Sequence, residues 1–244
     1  MSEGVRARVE ELVVDGWFRD PPEIIRAMSS APTRAVARAF VFEWTKFSRQ
    51  FPRWVGAIVS NCPHFDVIAF EVENLMSEVV RDPAAGTNHY ELLIRLGTGA
   101  GSDRATIEAH EPSDAARDAF AWWWETARQP DWLLGFTAIN GLEILGDRAL
   151  PRAYGVSQGT GLAPDPWAAT GIDADALEFF RVSDEADAGH GSETVDIVAR
   201  YTSDERADEV LGVLSESMAR LRRMMDAMWE LACALEQEDG VGRR

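Results

Sequence analysis

The sequence predicts an all-α protein, a single compact helical bundle of about seven to nine helices. Three observations carry that expectation. Apolar residues recur at spacings of three and four through almost every long segment, and no stretch alternates convincingly as a strand. From about Ser203 to Glu236 the stripe Val210, Leu214, Met218, Leu221, Met225, Met228, Ala232 and Leu235 marks one long helix. No repeat, low-complexity tract or linker interrupts the chain, so residues 1–244 read as one domain, with extension helices over 1–30 and a core over about 35–236.

The elements follow in order. After Pro32-Thr33, TRAVARAFVFEWTKFSRQ places Val36, Phe40, Trp44 and Phe47 on one helix face. Pro52 is expected to bend or restart this helix, which ends near 60-SNCPHF-65. Another covers about Asp66 to Val80, until Asp82-Pro83 and Gly86 break it, and HYELLIRLG opens the next at His89. Further helices are expected at about 113–128, 131–146, 172–188 and 192–200. The segment 155-GVSQGTGLAPDPWAATG-171 reads as a connecting loop. Thr202 and Glu205 form a capping-box pattern before the last helix.

Composition narrows the function classes. A hydrophobic share of 46% with 27% charged residues is that of a folded soluble chain. The net charge of -17 disfavours nucleic acid and anionic membranes as partners. Cys62 and Cys233 stand far apart in no paired motif, so a reducing cytoplasm is the expected compartment. The start lacks the apolar core of a signal peptide, and no apolar run approaches the ~18 residues of a spanning helix. Nucleotide-binding glycine motifs and HExxH are missing.

Only four histidines exist, His64, His89, His110 and His190. In 178-EFFRVSDEADAGHG-191, a helix would stack Ser183, Asp187 and His190 at i, i+4 and i+7 on one face. Glu71 and Glu78 share a helix face ahead of His89, and Glu143 sits among Ile139, Leu142, Ile144 and Leu145. A carboxylate so placed is costly to bury without a partner. Taken alone, these residues are equally those of ordinary polar helix faces, with Glu143 paired to Arg148 or Arg152 and His89 capping a helix start. Trp122, Trp123 and Trp124 fit core packing or a substrate wall, and Lys46 with Arg49 fit surface charge or a carboxylate clamp.

In order and spacing the chain resembles the haem-oxygenase-like di-iron oxidase and oxygenase superfamily, which shares its fold with pyrroloquinoline-quinone synthase and thiaminase-like proteins. The residues that carry the resemblance are 41-VFEWTKFSRQFPRWVGAIVSNCPHFDVIAFEVENLMSE-78, 89-HYELLIRLGTGAG-101, 141-GLEIL-145, the FFxxSxxxDxxH segment and 225-MDAMWE-230. The resemblance implies a ligand set of Glu78, His89, Glu143, Asp187 and His190. The family's further histidine falls on Ser183, a weak ligand, and Asp184 is the neighbour best placed to lean in. Glu71 and Glu73 are reserves, and Gly189 and Gly191 would give His190 local freedom.

It further implies Fe(II), one or two ions, with dioxygen as co-substrate and a small molecule as substrate. The expected reactions are N-oxygenation, oxidative C–C cleavage or desaturation, in natural-product biosynthesis. Two alternatives stand beside it: a metal-free oxidase of the pyrroloquinoline-quinone-synthase type, with His89 and His190 as acid–base groups, and a non-catalytic helical protein binding a metabolite or partner chain. The long last helix is compatible with a homodimer.

Overall fold

The computed structural model describes residues 3–157 and 159–241; the side chains of 184–188 and 241 lie outside that description. Among the described residues there is no strand, and eleven α-helices alternate with short 3-10 and π turns. They are α1 (Glu3–Val13), α2 (Glu23–Ser30), α3 (Arg34–Asn61), α4 (Phe65–Leu75), α5 (His89–Gly99), α6 (Arg104–Ala109), α7 (Asp114–Ala127), α8 (Trp132–Asn140), α9 (Ala149–Ala153), α10 (Glu178–Tyr201) and α11 (Ala207–Val241). The count exceeds seven to nine because α6 and α9 span only 6 and 5 residues, too few for a repeating apolar stripe to show. None of the helices described is long and apolar enough to cross a membrane.

Helix α3 packs against α5, α7, α8 and α11, α1 lies against α10 and α11, and α2 lies against α11. One continuous apolar cluster runs through all of them, from Val5 to Ala232. Side-chain oxygens cap several helix starts: Thr33 accepts from the Val36 N–H, Asn88 from Glu91, Asp103 from Thr106 and Ser113 from Ala116. Each such cap satisfies an amide that the helix itself leaves open.

Several boundaries differ from expectation, each for a packing reason. Pro52 does not restart α3, which runs 28 residues through it. Phe47, Phe51, Trp54 and Val55 on both sides of Pro52 belong to the same core, and their burial outweighs the ~3 kcal/mol a mid-helix proline costs. The helix expected over 131–146 stops at Asn140, and a 3-10 turn follows at Glu143–Gly146. A Cβ on Gly141 would meet Leu214 Cδ1 at 2.5 Å, so the chain turns there hard against α11.

The two helices expected at 172–188 and 192–200 are one, α10. Thr202 is not a cap for the last helix; it ends α10, and Ser203 leads a 3-10 turn over Asp204–Arg206. The presumed loop 155–171 contains another 3-10 turn, Asp165–Thr170. It delivers Trp167 to the core, stacked on Phe180 with centroids 4.4 Å apart.

Two π turns matter for the site. At Val14–Phe18 the Arg19 N–H donates to Val14 O (3.0 Å), and at Met76–Val80 the Arg81 N–H donates to Met76 O (2.8 Å). Each widens the helix by one residue.

Candidate metal centre

The centre is built from two acid–imidazole pairs delivered by separate parts of the chain. Glu78 sits in the π turn that follows α4, and His89 is the first residue of α5. Between them the loop closes on itself. The Asp82 N–H donates to Thr87 O (2.8 Å), the Gly86 N–H donates to Asp82 O (2.9 Å), and Gly86 takes the left-handed φ of 70° that glycine tolerates. This brings His89 Nδ1 to 2.7 Å from Glu78 Oε1, while the Ser48 hydroxyl of α3 donates to Glu78 Oε2 at 3.4 Å. The other ring nitrogen, Nε2, stands 3.3 Å from Asp82 Oδ2. Burial alone would lower the pKa of His89, but its hydrogen bonds to Glu78 and Asp82 and their charges outweigh that and raise it to about 9. The helix start is capped by Asn88, so His89 has no capping role.

The second pair joins the 3-10 turn to α10: His190 Nδ1 lies 3.5 Å from Glu143 Oε2. Arg148 and Arg152 are not the partners of Glu143 that the sequence allowed. Gly191 makes the approach feasible, because a Cβ there would meet Asp147 Cβ at 2.8 Å, Glu143 O at 3.2 Å and Ile144 Cα at 3.3 Å. Its role is thus close packing, whereas a Cβ on Gly189 would meet nothing within 4 Å.

Both pairs face one cavity of about 150 Å³. Ser183, buried on α10, lines it too. Asp187 and Asp184 belong to the same helix, and their side chains lie outside the described residues. The rest of the wall is mostly apolar: Phe40, Trp44, Phe47 and Phe51 from α3, Leu93 from α5, Phe179 from α10, Leu221 and Met225 from α11, and Trp17, Ile25 and Met28 from the N-terminal segment. Among the described residues no lysine or arginine lines it.

The remaining candidates lie elsewhere. Glu71 does not line the cavity with Glu78. It is fully buried, accepts from Asn140 Nδ2 at 2.7 Å and has its second oxygen unpartnered. Burial, opposed by the Asn140 hydrogen bond and reinforced by the charge of Glu143, pushes its pKa up to about 8. Glu73 is exposed. Lys46 donates to the Ile107 and Glu108 carbonyls at the end of α6, and Arg49 donates to the Tyr90 hydroxyl. Neither reaches the cavity. Trp123 is core, donating to Ser217 Oγ at 2.8 Å, Trp122 and Trp124 lie under Arg220 and Arg128, and none of the three lines the cavity.

Asp82 is the residue that sequence reasoning passed over; Asp-Pro was legible as a helix breaker, but nothing local pointed its carboxylate at His89. Among the described residues no three His, Cys, Asp or Glu side chains converge on one point. The donors come in twos. Even so, the donor set suits iron: imidazole with carboxylate is a mixture that iron accepts, and the carboxylates of Glu78 and Glu143 face the cavity with no lysine or arginine to neutralise them.

Residues 38–225 match the family model described as iron-containing redox enzyme, a haem-oxygenase group. The chain belongs to this family. Relatives of this iron-containing redox enzyme include the 4-aminobenzoate synthase of Chlamydia pneumoniae, 25% identical over 192 residues, which are 79% of this chain and 77% of that one. That of Chlamydia muridarum is 24% identical over 227 residues, 92% and 90% of the two chains. Among solved structures, a domain of unknown function with a haem-oxygenase-like fold from Shewanella denitrificans superposes with a TM-score of 0.65 at 14% identity, over 93% of this chain and 90% of that one. A TenA homologue from Pseudomonas syringae gives 0.66 at 12% identity with the same coverage. The fold of this iron-containing redox enzyme is therefore haem-oxygenase-like.

Proposed function

We propose that this family member is a non-haem iron oxidase or oxygenase that uses dioxygen on a small, largely apolar metabolite. The observation that carries the reading is the pair of Glu–His units, Glu78 with His89 and Glu143 with His190, opening on one mostly apolar cavity that no described lysine or arginine lines. Glu78 and His89 would hold one ion, and Glu143, Asp187 and His190 a second. Ser183 offers that second position a neutral hydroxyl, a weak donor for iron, which leaves a place for water or for a substrate heteroatom. Bound iron supplies the one-electron chemistry through which dioxygen becomes reactive.

The chain's own residues do the rest. The aromatic and aliphatic wall excludes water and strengthens every charge interaction inside it. A cavity of about 150 Å³ takes a molecule of roughly benzene size. The reaction classes are N-oxygenation, oxidative C–C cleavage and desaturation, and the likeness to 4-aminobenzoate synthases supports a biosynthetic setting.

Anaerobic reconstitution with Fe(II), followed by removal of loose metal, tests this. Two irons per chain are expected for the parent protein, the second more weakly held, and Glu143→Ala is expected to keep only the one at Glu78 and His89. Unchanged iron content in Glu143→Ala would overturn the assignment.

A further inference from the structure

We propose that Asp82 is a positioning residue: its carboxylate holds the Nε2–H of His89 and so presents Nδ1 to the metal beside Glu78. The inference rests on the reading of His89 as an iron ligand, and it deepens that reading with a residue outside the ligand set. Asp82 is 5% exposed and its two oxygens have separate tasks. Oδ1 accepts the backbone N–H groups of Ala84 (2.7 Å) and Ala85 (3.0 Å), which fixes the carboxylate to its own turn. Oδ2 stands 3.3 Å from His89 Nε2. A loop-closing main chain on either side, Asp82 N–H to Thr87 O and Gly86 N–H to Asp82 O, leaves the carboxylate little freedom.

The chemistry follows from the two ring nitrogens. An imidazole binds a metal through one nitrogen only if the proton resides on the other, and a carboxylate at that other nitrogen selects this tautomer and fixes the ring plane. Here the metal-facing atom is Nδ1, 2.7 Å from Glu78 Oε1, and the held atom is Nε2. The loop 81–88 is then a device that carries an orienting carboxylate back beneath the ligand that follows it seven residues later.

Asparagine at this position separates the two tasks. In Asp82→Asn the side-chain oxygen still accepts from Ala84 and Ala85, so the turn survives. The amide NH2 then faces Nε2 as a donor, Nε2 must accept, and the ring proton moves to Nδ1, where it blocks the metal. Asp82→Ala loses both the turn contacts and the carboxylate.

The test measures Co(II) affinity anaerobically by chelator competition, together with the melting temperature of each metal-free protein. Both variants are expected to bind the ion weaker by 10–100-fold, while Asp82→Ala, which also loses the contacts to Ala84 and Ala85, lowers the metal-free melting temperature further than Asp82→Asn. Parent-like affinity in Asp82→Asn with loss only in Asp82→Ala would reduce Asp82 to a turn former and overturn the proposal. A parent protein that binds no Co(II) or Fe(II) would instead overturn the metal reading on which it rests.

Discussion

Raising the pH of the metal-free protein from 6 to 9 is expected to lower its melting temperature by roughly 10 °C, and Glu71→Gln is expected to remove about half of that loss. The cause is two groups that hold protons more tightly when folded. Glu71 has its pKa raised from 4.5 to about 8, because burial penalises its charge. His89 has its pKa raised from 6.5 to about 9 by Glu78 and Asp82, against the opposing effect of burial. In both cases the unfolded chain releases its proton first, so stability falls as pH rises. For Glu71 the window is 4.5 to about 8, and for His89 it is 6.5 to about 9.

Across pH 6 to 9 each group accounts for on the order of 2–3 kcal/mol. Glutamine keeps the acceptor for Asn140 Nδ2 and supplies a donor, as the protonated acid does, to a neighbourhood where Asn140 Oδ1 lacks one. Thermal melts of both proteins at pH 6 and pH 9 decide the matter. Parallel profiles for parent and variant would mean that Glu71 is already ionised in the fold.

Gly191→Ala is expected to cost about 1–3 kcal/mol, the usual range for forcing atoms into a packed contact, and to strip iron from the Glu143–His190 pair. The new Cβ would stand 2.8 Å from Asp147 Cβ and 3.3 Å from Ile144 Cα, so α10 must move away from the turn that carries Glu143. Gly189→Ala is the matched control. Its Cβ would meet nothing within 4 Å, and replacing an exposed helical glycine should stabilise by up to about 1 kcal/mol with iron content unchanged. Denaturant midpoints and iron per chain report both effects. Equal behaviour of the two alanines would show that the close approach at Gly191 does not position His190.

The helical class was legible because period is a property of the sequence itself: the stripe from Val210 to Leu235 lies on α11, and Phe40, Trp44 and Phe47 lie on α3. Boundaries were less legible because packing decides them. Pro52 carries a local cost that only the surrounding core explains, and Trp167 lies in a Gly- and Pro-rich stretch whose composition hides a buried ring. For the site, Glu78, His89, Glu143 and His190 were named from the order of motifs, and they do line one cavity with Ser183. Asp82 escaped notice because its role depends on a loop closure that spacing does not encode. Glu71 misled for a related reason: seven residues from Glu78 means a shared face only on a regular α-helix.

That last point reaches beyond Glu71. A π turn is an α-helix with one residue inserted, and both π turns of this chain deliver a side chain to the cavity wall, Trp17 from one and Glu78 from the other. Register along α4 therefore has two settings. Upstream of Met76 the helix buries Val67, Phe70, Glu71 and Asn74, of which Asn74 lines the cavity; within the π turn Ser77 and Glu78 line it. A single-residue deletion within 76–80 would return the segment to one phase, leaving composition, charge and helix content almost untouched while turning Glu78 away from His89. In this fold a one-residue change in length within a helix can erase a site that substitutions at Met76, Val79 or Val80 in the same segment would spare.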